Sequence, residues 1–87
     1  RPQTLPYPLD VYAGTYENDL YGRVVFSVVN GKLEARAGQA WTPVEVYDGA
    51  NNALRVELTG SGEVARFKIE NGRAVSFEVG GITFRRV

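Results

Sequence analysis

From Gly14 onward, apolar and polar residues alternate in short runs broken by glycine and asparagine, the period of strands with one dry and one wet face. The pattern predicts strands near residues 14–17, 21–29, 32–37, 43–47, 53–59, 63–70, 73–79 and 82–87. Eight short strands at near-even spacing predict an all-β fold, an antiparallel up-and-down meander that closes into a barrel. Period two assigns an inward set: Val24, Phe26, Val28, Leu33, Ala35, Ala37, Val44, Val46, Leu54, Val56, Leu58, Ala65, Phe67, Ile69, Val75, Phe77, Val79, Ile82 and Phe84.

Turn parity tests that face, because a slip of one residue inverts a strand. A two-residue type I′ turn at Asn30-Gly31 pairs Val28 with Leu33 and Phe26 with Ala35. Gly80-Gly81 pairs Val79 with Ile82 and Phe77 with Phe84, and Ser61-Gly62 pairs Leu58 with Ala65 and Val56 with Phe67. Asn71-Gly72 breaks parity as a two-residue turn. A three-residue loop, Glu70-Asn71-Gly72 with a glycine bulge, restores it by setting Phe67 opposite Val75. These registers also place Arg66 opposite Glu57 and Lys68 opposite Arg55 on the wet face.

Ahead of the strands, residues 1–8 hold three of the four prolines and read as an extended linker or terminus. Pro8 suits the start of one short helical turn over Leu9 to Tyr12, which Gly14 would end. Residues 9–87 are then a single barrel domain. A chain of 87 residues buries only about 60–65% of its unfolded surface, so its stability margin is narrow. A start at Arg1 rather than Met suggests a processed or excised chain.

Formal charge balances at zero, which gives no footprint for nucleic acid. No apolar run reaches the length of a membrane helix, and no signal-peptide pattern is present. Cysteine and histidine are both absent. That removes disulfides, thiolate metal sites, Cys nucleophiles, imidazole bases and every Ser-His triad. No cofactor or metal is implied.

The remaining chemistry is thin. Tyr16-Glu17-Asn18 matches a Tyr-x-Asn element of serine hydrolases, but Ser27, Ser61 and Ser76 have no lysine three residues on. Asp10, Glu17, Asp19 and Asp48 sit in or beside loops, where carboxylates are ordinarily just solvated. The glycine-rich turns lead into strands rather than helices, so they cradle no phosphate. More informative are Tyr7, Tyr12, Tyr16, Tyr21, Trp41 and Tyr47, which concentrate in the N-terminal half. Such residues serve interfaces well, and Tyr12, Tyr16 and Trp41 could equally cap one barrel end. Arg86 falls on the inward phase opposite Val75 and is expected to reach solvent or a carboxylate at the barrel mouth. With otherwise apolar lining the interior is expected to be packed, and Ala35, Ala37 and Ala65 leave the only hint of space.

Leu9-Asp10-Val11-Tyr12-Ala13-Gly14-Thr15-Tyr16-Glu17-Asn18, then Leu20-Tyr21-Gly22 and Asn30-Gly31-Lys32-Leu33, resembles the lipocalin-like domain at the C-terminus of β-lactamase-related serine hydrolases. Asn71-Gly72-Arg73 and Ile82-Thr83-Phe84-Arg85-Arg86 resemble that domain's last hairpin. Residues 39–53 depart from it, being compact and lacking a His-Trp element. The resemblance implies a lipocalin-like barrel acting as a non-catalytic accessory domain. Its partner would be an upstream serine-hydrolase domain of the same parent chain, on which it docks, whose active site it screens, or whose oligomerisation it assists. An exported or periplasmic parent is implied, and no catalytic residue carries over. The alternative is a stand-alone binder of a small apolar ligand.

Overall fold

A computed structural model describes residues 4–57 and 62–87. The chain forms nine antiparallel strands: β1 (Gly14–Asn18), β2 (Gly22–Val29), β3 (Lys32–Ala37), β4 (Ala40–Pro43), β5 (Glu45–Asp48), β6 (Ala53–Val56), β7 (Glu63–Glu70), β8 (Arg73–Val79) and β9 (Ile82–Arg86). Their order in the sheet is β4-β3-β2-β1-β9-β8-β7-β6-β5, an up-and-down meander whose two ends meet. The single strand expected at 43–47 begins earlier, at Ala40, and is bent at Pro43-Val44 into two halves, β4 and β5. The first half pairs with β3, setting Ala35 opposite Thr42, and the second pairs with β6, setting Val46 opposite Leu54. The fold is therefore a nearly closed barrel of eight passes, one of them broken.

Proline at the break supplies no N–H to a ladder, which suits a strand changing partners. A side chain spans the resulting gap: the Glu57 N–H donates to Thr42 Oγ1 at 3.0 Å. Thr42 Oγ1 itself donates to the Pro43 carbonyl, so this fully buried hydroxyl is satisfied. Because Thr42 takes the Glu57 amide, β6 leaves the ladder after Val56. The β6–β7 register follows from that exit: Val56 faces Glu63 and Leu54 faces Ala65, four residues away from the expected pairing. Arg66 consequently faces Ala53, and Arg55 faces Val64, while Arg55 forms an exposed ion pair with Glu57, the residue just past its strand. Leu58 and Ser61 lie outside the described residues.

Two hairpins follow the turn chemistry closely. Asn30 (φ 52°) and Gly31 (φ 77°) both take left-handed conformations, and Val28 pairs with Leu33 as parity requires. Gly80-Gly81 sets Val79 opposite Ile82 and Phe77 opposite Phe84. The Asn71-Gly72 hairpin differs. It is a two-residue turn with Asn71 at φ 53°, pairing Glu70 with Arg73, and parity is restored inside the strand. A bulge at Val75 lets Ile69 face Ala74 while Phe67 faces Phe77. Val75 thereby leaves the core and Ala74 becomes fully buried. Val28, also expected inside, is 41% exposed at its strand end.

The core is aromatic. Phe26, Phe67 and Phe77 surround Tyr16 with ring centroids 5.1–5.8 Å apart, and Tyr12 meets Phe67 edge-on at 5.5 Å. Phe77 stacks on Phe84 at 4.8 Å. Edge-to-face contacts suit ring quadrupoles, adding about 0.5–1.5 kcal/mol per pair beyond burial. At the N-terminus, Leu9–Val11 forms a 3₁₀ turn after Pro8, closed by the Tyr12 N–H on the Leu9 carbonyl. Leu5 packs against the core, and the Thr4 backbone lies against Gly49, where a Cβ would strike the Thr4 carbonyl.

Candidate functional site

The meander puts two different ends on the barrel. One collects the N-terminal 3₁₀ turn, the turns at 30–31, 49–52 and 71–72, and the end of β9. The other collects the turns at 19–21, 38–39 and 80–81, with the end of β6 at Val56 and the start of β7 at Glu63. The first end is plugged and the second is open.

Tyr12, Tyr16 and Arg86 make the plug. Tyr16 Oη donates to the Tyr12 carbonyl at 2.7 Å, and Tyr12 Oη donates to Asn52 Oδ1 at 2.6 Å. Asn52 accepts the left-handed conformation (φ 54°) that ends the 49–51 turn and aims its amide inward. Arg86 lies opposite Tyr16 in the β1–β9 ladder, with its guanidinium 5.3 Å from the Tyr16 ring centroid. Its Nε donates to the Ala74 carbonyl (2.6 Å), and one terminal nitrogen donates to the Val11 (3.1 Å) and Ala13 (3.0 Å) carbonyls. Sequence places Arg86 opposite Val75, meeting a carboxylate or solvent; instead it clamps three backbone carbonyls on two segments, 11–13 and Ala74. The approach is tight at Gly14 (φ 153°), where a Cβ would collide with the Arg86 guanidinium.

Burial pushes the Tyr16 phenol up to about 12, against a smaller opposing pull from Arg86 and then Arg73. Tyr12 is raised too, by burial first and by Tyr7 second. Between pH 10 and 12 the folded chain therefore holds a proton on Tyr16 that the unfolded chain releases. Stability from this group is complete below pH 10 and is lost as pH rises through about 12, a loss of about 2–3 kcal/mol. Urea midpoints at pH 9 and 11.5 should fall more steeply for the parent than for Tyr16→Phe; equal slopes would reject the assignment.

The six aromatic residues singled out by sequence do not form one surface. Tyr12 and Tyr16 are inside the barrel at 0% exposure. Tyr7, Tyr21, Trp41 and Tyr47 are on the surface, with Trp41 Nε1 donating to Glu34 and Tyr47 occupying the bulge in β5. Tyr21 alone among the six lines the open end. Its neighbour Leu20 is 84% exposed, and the turn carrying both is pinned by one side chain. Asn18 Oδ1 accepts from the Leu20 N–H (2.8 Å) and the Tyr21 N–H (3.0 Å), while Asn18 Nδ2 donates to the Thr83 carbonyl (2.9 Å).

Inside the open end lies a cavity of about 280 Å³. Its wall comes from Val24 and Phe26 of β2, Ala37 of β3, Val56 of β6, Ala65 of β7, Phe77 and Val79 of β8, and Ile82 and Phe84 of β9. Among the described residues of the lining, Tyr21 and Glu63 carry polar side chains. The interior, expected to be packed throughout, is packed only in its plugged half. Ala37 and Ala65, two of the three inward alanines, are where the space arises.

With this geometry in view, the comparison with known proteins is brief. No family model and no curated protein matches the sequence. Among solved structures, the crystal structure of SurE is similar over 100% of this chain, with a TM-score of 0.75 and 16% identity. The shared property is the fold. The chain spans 21% of that longer protein, so the same barrel occurs there as one part of a larger molecule. Among the described residues no group of three or more carboxylates is placed to hold a metal ion, and no helix is long and apolar enough to cross a membrane.

Proposed function

We propose that the chain is a non-catalytic accessory domain of a β-lactamase-related serine hydrolase, docking on or screening the catalytic domain through its open end. The observation that carries this reading is the Leu20-Tyr21 tip. Two large apolar side chains stand in solvent on a turn that Asn18 holds in one shape, and a preorganised apolar anchor loses little entropy on association. Leu20-Tyr21-Gly22 is also part of the phrase that resembles the accessory domain, and a barrel of this fold forms one part of a larger chain in SurE.

Intact mass and peptide sequencing of the native gene product test the premise. A larger protein with Ser-x-x-Lys upstream is expected, and a mature chain of about this length would overturn it. In that larger protein, Leu20→Asp with Tyr21→Ala should weaken association of the two domains at least tenfold, measured with the domains separated and remixed. Asn18→Ala, which frees the turn but keeps both side chains, should weaken it about three- to tenfold. Unchanged association in all variants would remove the tip from the interface.

A second reading, a binder of a small apolar ligand, is favoured by the open cavity. Barrel mouths are among the usual places for such sites.

A further inference from the structure

We infer that Asn30, at the tip of the β2–β3 hairpin, is a site of spontaneous backbone-assisted deamidation in the folded protein, and that Arg86 protects the chemically equivalent Asn71.

The chain has five asparagines, and two of them precede glycine, in Asn30-Gly31-Lys32 and Asn71-Gly72-Arg73. The other three have engaged side chains: Asn18 with Leu20, Tyr21 and Thr83, Asn51 with Asp48, and Asn52 with Tyr12. The side chains of Asn30 and Asn71 hydrogen-bond none of the described residues. Both are exposed, and a Cβ built on Gly31 or Gly72 would meet nothing within 4 Å. With no side chain on the following residue, the amide nitrogen after each asparagine is open to its Cγ.

The reaction needs only hydroxide and water. Hydroxide takes the Gly31 N–H proton, and the nitrogen attacks Asn30 Cγ to form a new C–N bond. The tetrahedral carbon expels the side-chain nitrogen as ammonia, with protons from water, and a succinimide remains. Water then opens either ring carbonyl, giving aspartate or isoaspartate. Ring closure requires the glycine nitrogen to swing round toward Cγ, so the asparagine must leave its left-handed turn conformation. In the folded chain the rate therefore follows how readily the turn opens.

The two hairpin tips differ in what holds them shut. Two residues beyond each glycine lies the first buried side chain, Leu33 in one hairpin and Ala74 in the other. The Leu33 carbonyl accepts the Val44 N–H at 3.2 Å. The Ala74 carbonyl accepts Arg86 Nε at 2.6 Å, a shorter bond from a charged donor. On the preceding strands, Val28 and Val29 are each 41% exposed, whereas Ile69 packs against the core. The bulge at Val75 interrupts the ladder beneath the 71–72 turn, which leaves Arg86 as the chief tie between that tip and the barrel.

The two products differ in consequence. Aspartate at position 30 keeps the turn, because it tolerates the left-handed conformation, and adds a carboxylate two residues before Lys32. Isoaspartate routes the main chain through Cβ and lengthens it by one carbon. That breaks the two-residue closure pairing Val29 with Lys32.

The test is incubation of the full chain at mildly alkaline pH, with peptide mapping of asparagine, aspartate and isoaspartate at both positions over time. In the folded protein Asn30 should react about five- to thirtyfold faster than Asn71, the ratio that a hold stronger by one or two kcal/mol implies. In concentrated urea the two rates should converge. Arg86→Lys should speed Asn71 several-fold and leave Asn30 unchanged. Should that variant fail to fold, amide exchange in the parent decides, the Lys32 amide exchanging faster than the Arg73 amide. Equal or faster reaction at Asn71 in the folded chain would overturn the assignment, as would an inert Asn30 under conditions that consume it in urea. An unchanged Asn71 rate in folded Arg86→Lys would overturn the protection by Arg86.

Discussion

Tyr16→Ala should lower the unfolding free energy by about 3–5 kcal/mol, the range for deleting a fully buried aromatic side chain. A chain of this length has roughly 4–13 kcal/mol in all, so the variant should be largely unfolded by mild urea. Three aromatic neighbours, Phe26, Phe67 and Phe77, lose their contact with the ring, and the void opens at the barrel's centre where backbone ladders resist collapse. The Arg86 guanidinium loses the ring beneath it. Tyr16→Phe separates the packing from the hydroxyl. It keeps every ring contact and removes only the 2.7 Å hydrogen bond to the Tyr12 carbonyl, so it should cost about 1–2 kcal/mol. Urea midpoints for the two variants check this. Similar losses in both would mean that the hydroxyl, and not the ring, holds the plug.

That centrality was not legible in the chain. Period two assigns faces within a strand and hence found Phe26, Phe67, Phe77 and Phe84, but β1 is short and begins at a glycine. Its inward residue shows as such only once Arg86 and Val24 are seen on either side of it. The turns divide in the same way. Asn30-Gly31 and Gly80-Gly81 were readable because a two-residue turn and the face pattern agree. At Asn71-Gly72 they conflict, and two local devices resolve the conflict equally well: a longer loop or a bulge in the strand. The chain uses the bulge at Val75, which costs one unpaired residue and keeps the favourable Asn-Gly geometry. The β6–β7 register depended on a contact 15 residues away in sequence, Thr42 with the Glu57 amide, which no local pattern contains. Within the candidate site, the alanines pointed to space. The bend at Pro43 and the bulge that moves Val75 outward determine where the barrel is full, and both are tertiary outcomes.

Arg86 is the second residue whose loss should be severe. Arg86→Met keeps much of the stem's packing and removes the guanidinium, leaving the Val11, Ala13 and Ala74 carbonyls without their donor. Hydrogen bonds to a charged donor contribute about 1.5–3 kcal/mol each, and partial access of water to this end reduces the sum. A loss of about 3–4 kcal/mol is expected, with the N-terminal 3₁₀ turn released first because one of the three carbonyls, Val11, ends that turn and a second, Ala13, lies two residues beyond it. Amide exchange should therefore show Tyr12 and the residues after it losing protection before β7 and β8 do. Arg86→Lys should recover less than half of the loss, since one ammonium cannot match the guanidinium fork across three separated acceptors. Gly14 supplies an independent check. Gly14→Ala in the parent drives a Cβ into the guanidinium and also strains a backbone at φ 153°, whereas in the Arg86→Met background only the strain remains. The double variant should thus be more stable than the two single losses predict, by at least 1 kcal/mol. Strict additivity would show that Arg86 and Gly14 act separately, and that the clamp is not what closes this end of the barrel.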